Sequence, residues 1–168
     1  LVYLADKEEI GSMGNTGAQS DELSNFIAEF CAVTTDNYND LITRRCIRNS
    51  ALLSADVSAA ADPNNKDTHD KYNATHIGKG LVLKKYTGAR GKSGAGDANP
   101  EFIAAIRRIL DEHNIYWQTG ELGKVDLGGG GTIAQFMANL GMQVLDCGVP
   151  IMSMHSPFEL ASKADIYN

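Results

Sequence analysis

The residues of this sequence that could bind a metal ion follow three short apolar segments. Glu8 and Glu9 come after the first segment, Asp56 closes the second, and His155 closes the third. Each of them alone is more typical of a turn, a helix cap or a hydrogen-bonded core residue. Together, carboxylate oxygens and an imidazole nitrogen make a ligand set that suits zinc, cobalt or manganese. The sequence therefore predicts a metal site at the ends of three strands.

The Glu8–Glu9 pair indicates what such a site could do. Adjacent ionised carboxylates repel each other, and burying them together is costly unless a cation compensates. Successive residues of an extended segment point to opposite sides, so one glutamate could bind metal while the other faces a bound water. Metal coordination lowers the pKa of bound water to about 7, and a nearby glutamate can accept its proton. The extra carboxylates favour two metal ions, and the pattern predicts hydrolysis by an activated water.

Strands and helices alternate in the hydrophobic pattern. The clearest helix is 100–113, because Asn99 is a good cap, Pro100 fits a first turn, and one face is apolar. Further helices are predicted from about residue 20, at 38–49, from the glycine run 128–131 to residue 140, and at 156–164. Strands are predicted at 1–4, 51–57, 77–86, 115–118, 142–145 and 151–154, and loops at 62–76 and 87–99.

This alternation predicts an α/β fold, a three-layer α/β/α sandwich with a mainly parallel sheet. In such folds, binding sites gather at the carboxyl ends of the strands. The metal-binding candidates all follow strands, so the fold should bring them together.

Two glycine-rich or basic segments could contact a substrate. In the glycine run 128–131, Gly130 and Gly131 let a backbone approach a ligand closely, and Thr132 stands at a helix start. A tight loop that needs glycine conformations explains the same run equally well. A basic side chain could meet an acidic substrate group, although a solvated basic loop is the simpler interpretation; the candidates are Lys84 or Lys85, and Arg90 or Lys92.

Composition excludes several classes of protein. The 168 residues carry 15 Lys and Arg against 21 Asp and Glu, and a net charge of -6 argues against a general nucleic-acid binder. No apolar run approaches the roughly 20 residues of a membrane span, and no secretory signal is recognisable. The three cysteines are widely spaced, which favours buried thiols in a reducing compartment over a disulfide framework. We expect a cytoplasmic protein without nucleic-acid or membrane partners.

Several motifs follow one another in an order that belongs to a known family. The motifs are residues 6–12, 54–56, 129–133, 145–148 and 154–159. In these segments the chain resembles the aspartyl-aminopeptidase-type zinc metallopeptidases, family eighteen of the usual peptidase scheme. The resemblance spans nearly the whole chain, and it would correspond to the C-terminal portion of that family's catalytic domain, with residues 1–168 forming an incomplete catalytic unit.

The resemblance implies a role for each candidate residue. Glu9 and His155 would ligate one metal ion, Asp56 would ligate a second, and Glu8 would be the general base. The glycine run with Thr132 would line the substrate pocket, and Lys84 is the basic residue that we expect to join it on the ground of its charge. The implied cofactors are two divalent ions, zinc before cobalt or manganese. A further histidine, a bridging aspartate and an inserted dimerisation domain would lie upstream, outside this chain.

The resemblance also implies peptide substrates and a homo-oligomer, a twelve-subunit particle built from dimers. One segment departs from the family pattern, because residues 57–64 carry alanine and aspartate where typical members have histidines. This departure resembles a bacterial branch and argues against strict specificity for acidic N-terminal residues. Two alternatives remain open: a two-metal amidohydrolase or deacylase, and a non-catalytic fragment or assembly module.

Overall fold

The computed structural model describes residues 1–90, 93–121, 123–124 and 126–167. Its helices are α1 (Glu22–Thr34), α2 (Asp40–Arg48), α3 (Pro100–Glu112), α4 (Ala134–Asn139) and α5 (Lys163–Tyr167). Its strands are β1 (Ala51–Ala59), β2 (Leu81–Lys84), β3 (Tyr86–Ala89), β4 (Ser93–Asp97), β5 (Trp117–Thr119), β6 (Gln143–Met152) and β7 (Leu160–Ala161). Short 3-10 turns cover Glu8–Ile10 and Lys66–Thr68. Among the described residues, no helix is long and apolar enough to cross a membrane.

The central sheet has the strand order β1-β6-β2-β5, and β7 pairs with the end of β6. β1 lies parallel to β6 along its whole length, from Ala51 opposite Gln143 to Ala59 opposite Ile151. β2 is parallel to β5 and antiparallel to β6. The longest strand pairing of the sheet, that of β1 with β6, is parallel. This confirms the predicted α/β class with a mainly parallel sheet.

Both faces of β6 contribute side chains to the hydrophobic core, because successive side chains of a strand point to opposite sides. Val144 belongs to a cluster formed with α1, α2 and α4, whereas Leu145 and Cys147 pack with α3. Nearly all of β6 is buried, as expected for a central strand covered on two sides. Helices therefore flank the sheet on both faces, as the sandwich prediction requires.

Four local predictions were wrong. Residues 1–4 form no strand, and Leu1 and Leu4 are 91% and 89% exposed. Segment 87–99 is not a loop, because β3 and β4 pair as an antiparallel two-stranded sheet. The two strands predicted at 142–145 and 151–154 are one continuous strand, β6. Segment 156–164 begins as a turn followed by β7, and its helix starts only at Lys163.

Candidate active site

One cavity of about 620 Å3 is lined by the predicted metal-binding residues, the predicted general base, Lys84 and the glycine run with Thr132. Glu8 and Glu9 come from the first 3-10 turn, Asp56 from β1, and Lys84 from β2. His155 follows β6, which places it near Asp56 because β1 and β6 are parallel. Another part of the wall is the glycine run and Thr132, with the three predicted substrate-binding residues Gly130, Gly131 and Thr132.

Glu9 and His155 are in direct contact in this cavity. The Nε2 atom of His155 lies 3.2 Å from Oε1 of Glu9, and both side chains are exposed. A carboxylate oxygen beside an imidazole nitrogen is part of the ligand chemistry that zinc prefers. Among the described residues, no group of three or more His, Cys, Asp or Glu side chains is close enough to hold a metal ion. The pair therefore fits a divalent cation but supplies only part of a ligand set.

The backbone at His155 adopts an unusual conformation. Its φ is 66°, and Ser153 two residues earlier has a φ of 58°. Non-glycine residues in this left-handed region are strained and persist only where their surroundings hold them. The Glu159 carboxylate supplies such a contact, because its Oε1 accepts a 2.7 Å hydrogen bond from the His155 N–H. Glu159 thus fixes the turn that directs His155.

Glu8 is half-buried beside other acidic groups. Burial is the largest cause that raises the pKa of Glu8, and the negative charges of Glu9 and Asp56 raise it further. The positive charges of His155 and Lys84 act in the opposite direction. A carboxylate with a raised pKa is a stronger proton acceptor once it is ionised, and such groups are typical of general bases.

Lys84 is almost completely buried, with 3% of its surface exposed. Its Nζ donates a 3.2 Å hydrogen bond to the carbonyl oxygen of Val57, the residue after Asp56. Burial lowers the pKa of Lys84, while Asp146 and Asp56 oppose that shift. The ammonium group lies on the cavity wall but is already hydrogen-bonded to the protein.

The other basic candidates differ in their surroundings. Lys85 forms an ion pair with Asp97 of β4. The backbone N–H of Arg90 donates to the carbonyl oxygen of Gly128 at 2.7 Å, so this residue holds the glycine run. Lys92 lies outside the described residues.

The glycine run packs closely on the β3–β4 hairpin. The N–H of Gly88 donates to the carbonyl oxygen of Gly130 at 3.0 Å. A Cβ atom at Gly131 would come within 2.8 Å of the carbonyl oxygen of Gly94. Glycine is thus required at position 131 by the close packing of two backbones. Gly129 has a φ of 100°, as the tight-loop interpretation of the run expects, and the run also lines the cavity.

Part of the cavity wall was not predicted. Segment 62–76 was expected to be a loop without a role, yet it contributes Asp62, Asn65, Thr68 and His69 to the lining. Hydrogen bonds from Asn64 and Asn65 lower the pKa of Asp62, and the charge of His69 contributes. The only available signal was its position directly after β1, at the strand end where sites gather.

The cavity lies at one edge of a helix-covered α/β sheet, and carboxylates and an imidazole meet in it. Asp56 lies within β1 and not at its end, and Glu8 and Glu9 follow a segment that forms no strand, which corrects the prediction of a site at three strand ends. The profile of the aminopeptidase I zinc metalloproteases (M18) matches residues 1–168, and the chain belongs to this family. The resemblance drawn from the motifs is confirmed.

Similar proteins include bacterial aminopeptidases of this family. A probable M18 family aminopeptidase 1 of Clostridium acetobutylicum is 54% identical over 167 residues, which cover 99% of this chain and 36% of the relative. The crystal structure of an M18 family aminopeptidase from Thermotoga maritima has a TM-score of 0.90 and 45% identity, over 96% of this chain and 36% of that one. A probable aspartyl aminopeptidase of Ricinus communis is 30% identical over 99% of this chain and 32% of its own length. The chain thus spans about a third of the length of these relatives.

Proposed function

We propose that the protein containing this chain is a metal-dependent aminopeptidase that hydrolyses the N-terminal peptide bond of peptides. The observation that carries the proposal is the meeting of Glu8, Glu9, Asp56 and His155 in one cavity, with Glu9 and His155 in contact. Family membership supports the aminopeptidase activity.

Glu9 and His155 would hold one divalent ion, and Asp56 would hold a second. Zinc is the metal in the family's description, and cobalt or manganese suit the same donors. The remaining ligands, a histidine and a bridging aspartate in the family resemblance, would come from outside this chain. When bound, the ions supply Lewis-acid polarisation of the scissile carbonyl and acidify a water molecule.

Glu8 would be the general base. Its carboxylate accepts a proton from the attacking water and returns it to the nitrogen of the departing amine, so no net proton is lost by the site. The half-buried position and the neighbouring carboxylates raise its proton affinity. Gly130, Gly131 and Thr132 would form the wall along which the peptide lies, and Lys84 would contribute positive charge to that wall.

We further propose that residues 1–168 are the C-terminal portion of the catalytic domain. Within the part of the chain that the structure describes, β1 has a strand partner on one side only. Beside it lies an apolar groove of about 920 Å3 with an exposed lining that includes Leu1, Leu4, Phe26 and Phe30. An upstream catalytic segment would cover this groove and carry the missing ligands, and an inserted domain would serve dimerisation.

The assembled protein would be a cytoplasmic homo-oligomer, a dodecamer built from dimers as the family resemblance implies. A yeast aminopeptidase with the same fold, 23% identical and with a TM-score of 0.75, is described as a dodecamer. Light scattering on the complete protein measures the subunit number directly.

The test of the activity compares two substrate classes on the complete, metal-loaded protein. Aminoacyl reporter amides with a free α-amino group should be cleaved, and a chelator should abolish the cleavage. N-acyl amino acids should not be cleaved. Hydrolysis of the N-acyl series alone would contradict the proposal and identify an amidohydrolase, and no hydrolysis of either series would indicate a non-catalytic module.

A further inference from the structure

Asp146 is a buried carboxylate in the middle of the apolar strand β6. Only 5% of its surface is exposed. The Thr132 hydroxyl donates to its Oδ1, and a Ser54 side-chain hydrogen bond reaches it from β1. Lys84 is its register partner on β2. A single side chain thus bonds to Ser54 of β1 and to Thr132, two residues before α4, while its residue pairs with Lys84 of β2.

Each of these contacts leads to the cavity wall. Thr132 ends the glycine run, and its Oγ1 also accepts the N–H of Ala134 at 3.1 Å, which fixes the start of α4. Lys84 holds the carbonyl oxygen of Val57, directly after the proposed metal ligand Asp56. Asp146 therefore adjoins residues of two cavity walls, Thr132 on one and Lys84 on the other.

Stability alone does not account for this arrangement. Removing an ammonium and a carboxylate from water is costly, and apolar residues of similar volume are often at least as stabilising. Lys84 and Asp146 are both buried, as register partners on neighbouring strands, and Lys84 also lines the cavity. Two buried charged residues in this position are better explained by the groups that they hold: Asp146 accepts from Thr132, and Lys84 donates to Val57.

We propose that Asp146 is a positioning residue for the hydrolytic site, holding Thr132 on one wall and, through Lys84, the backbone after Asp56 on the other. The proposal rests on the proposed aminopeptidase function, because it assigns Asp146 to the geometry of that site. Asp146 itself does not contact the substrate.

The competing role is simple neutralisation of the Lys84 charge, and a double variant separates the two. Asp146→Asn leaves the lysine without a counter-charge and should destabilise the complete protein. Lys84→Met together with Asp146→Asn removes both charges and should restore most of the melting temperature. If Asp146 positions the walls, the double variant should lose at least about tenfold in kcat relative to the Lys84→Met single variant, with a smaller change in KM. A double variant that recovers stability and keeps the kcat of Lys84→Met would overturn the proposal.

Asp165 offers a matched control. It is also buried, and its carboxylate accepts the N–H groups of Gly78 and Gly80 at 2.6 and 2.9 Å, away from the cavity lining. Asp165→Asn should lower stability but leave kcat of the folded enzyme unchanged. An equal loss of kcat in this variant would mean that any buried carboxylate has the same effect, which contradicts a specific role of Asp146.

Amide hydrogen exchange provides a readout that does not need activity. In Asp146→Asn and in the double variant, peptides that cover 128–134 and 55–58 should exchange faster than in the parent protein, whereas Asp165→Asn should not change them. Unchanged exchange at both segments would refute the positioning role even if the protein hydrolysed nothing. Inactivity of the unsubstituted, metal-loaded protein would instead refute the proposed function, so the two failures are distinguishable.

Discussion

The imidazole Nε2 of His155 lies 3.2 Å from the Oε1 of Glu9, although 146 positions of the sequence separate the two residues. The contact forms because His155 follows the central strand β6, and β6 runs parallel to β1 beside the turn that carries Glu9. The sheet therefore acts as the frame that brings two distant donors into one cavity.

Replacement of Glu8 tests the proposed general base. Glu8→Gln keeps the size of the side chain but cannot accept a proton, so kcat of the complete protein should fall by about 10²–10⁴-fold. Metal content, measured by elemental analysis, should stay the same, since Glu9, Asp56 and His155 remain. Glu29→Gln on the exposed surface of α1 is the control. Full activity in Glu8→Gln would remove Glu8 from the mechanism, and loss of metal would assign it a ligand role.

Replacement of Glu159 tests the support of His155. Glu159→Ala removes the acceptor of the His155 N–H, which releases a strained turn next to the proposed metal ligand. Groups that orient a metal ligand typically contribute about 10–100-fold to metal affinity. A chelator titration should show a loss of this size. Glu112→Ala is the control, because Glu112 pairs only loosely with Arg108 on the surface of α3, at 3.9 Å. Equal metal affinity in both variants would contradict the supporting role.

Gly148 permits the close approach of two strands at Asp56. It is the register partner of Asp56, and an added Cβ would come within 1.9 Å of the Asp56 carbonyl oxygen. Gly148→Ala should therefore push β1 away and lower the free energy of unfolding by about 1–3 kcal/mol. Chemical denaturation measures this loss. At Gly128 the atom nearest to an added Cβ lies at 3.3 Å, so Gly128→Ala should lower the free energy of unfolding by less. A smaller effect at position 148 than at 128 would contradict the packing argument.

Glu121 should make stability depend on pH. Burial raises its pKa from 4.5 to about 7. The folded state thus binds this proton more tightly than the unfolded state does, and the resulting stabilisation is complete below pH 4.5 and is lost as the pH rises to about 7. Glu121→Gln should raise the melting temperature relative to the parent protein more at pH 8 than at pH 5. The same difference at both pH values would show that Glu121 has an ordinary pKa.

The local sequence pattern was sufficient to predict those helices and strands whose own residues mark where they begin and end. α3 begins at Pro100 and presents a continuous apolar face, so its position could be predicted within a residue or two. β6 was divided in the prediction because Gly148 and Pro150 usually interrupt strands. In the structure both are accommodated, since β1 runs beside them without a break.

The site could be predicted only in part. Strand ends and residue types identified Glu8, Glu9, Asp56 and His155 as candidates, but their assignment to separate roles depended on the family resemblance. The contribution of Asp62 and His69 could not be predicted, because a loop without periodicity gives no indication of the surface on which it folds. The hydrogen bond from Lys84 to Val57 could not be predicted either, because it depends on the register of both β1 and β2 with β6, which lies between them.

The parallel pairing of β1 and β6 has a consequence for biosynthesis. β1 pairs with a strand that begins more than eighty residues later in the chain, and the turn with His155 follows that strand. A growing polypeptide therefore exposes Glu8, Glu9 and Asp56 long before their histidine partner leaves the ribosome. The donors of the proposed hydrolytic site can therefore meet only when nearly all of this region has been translated.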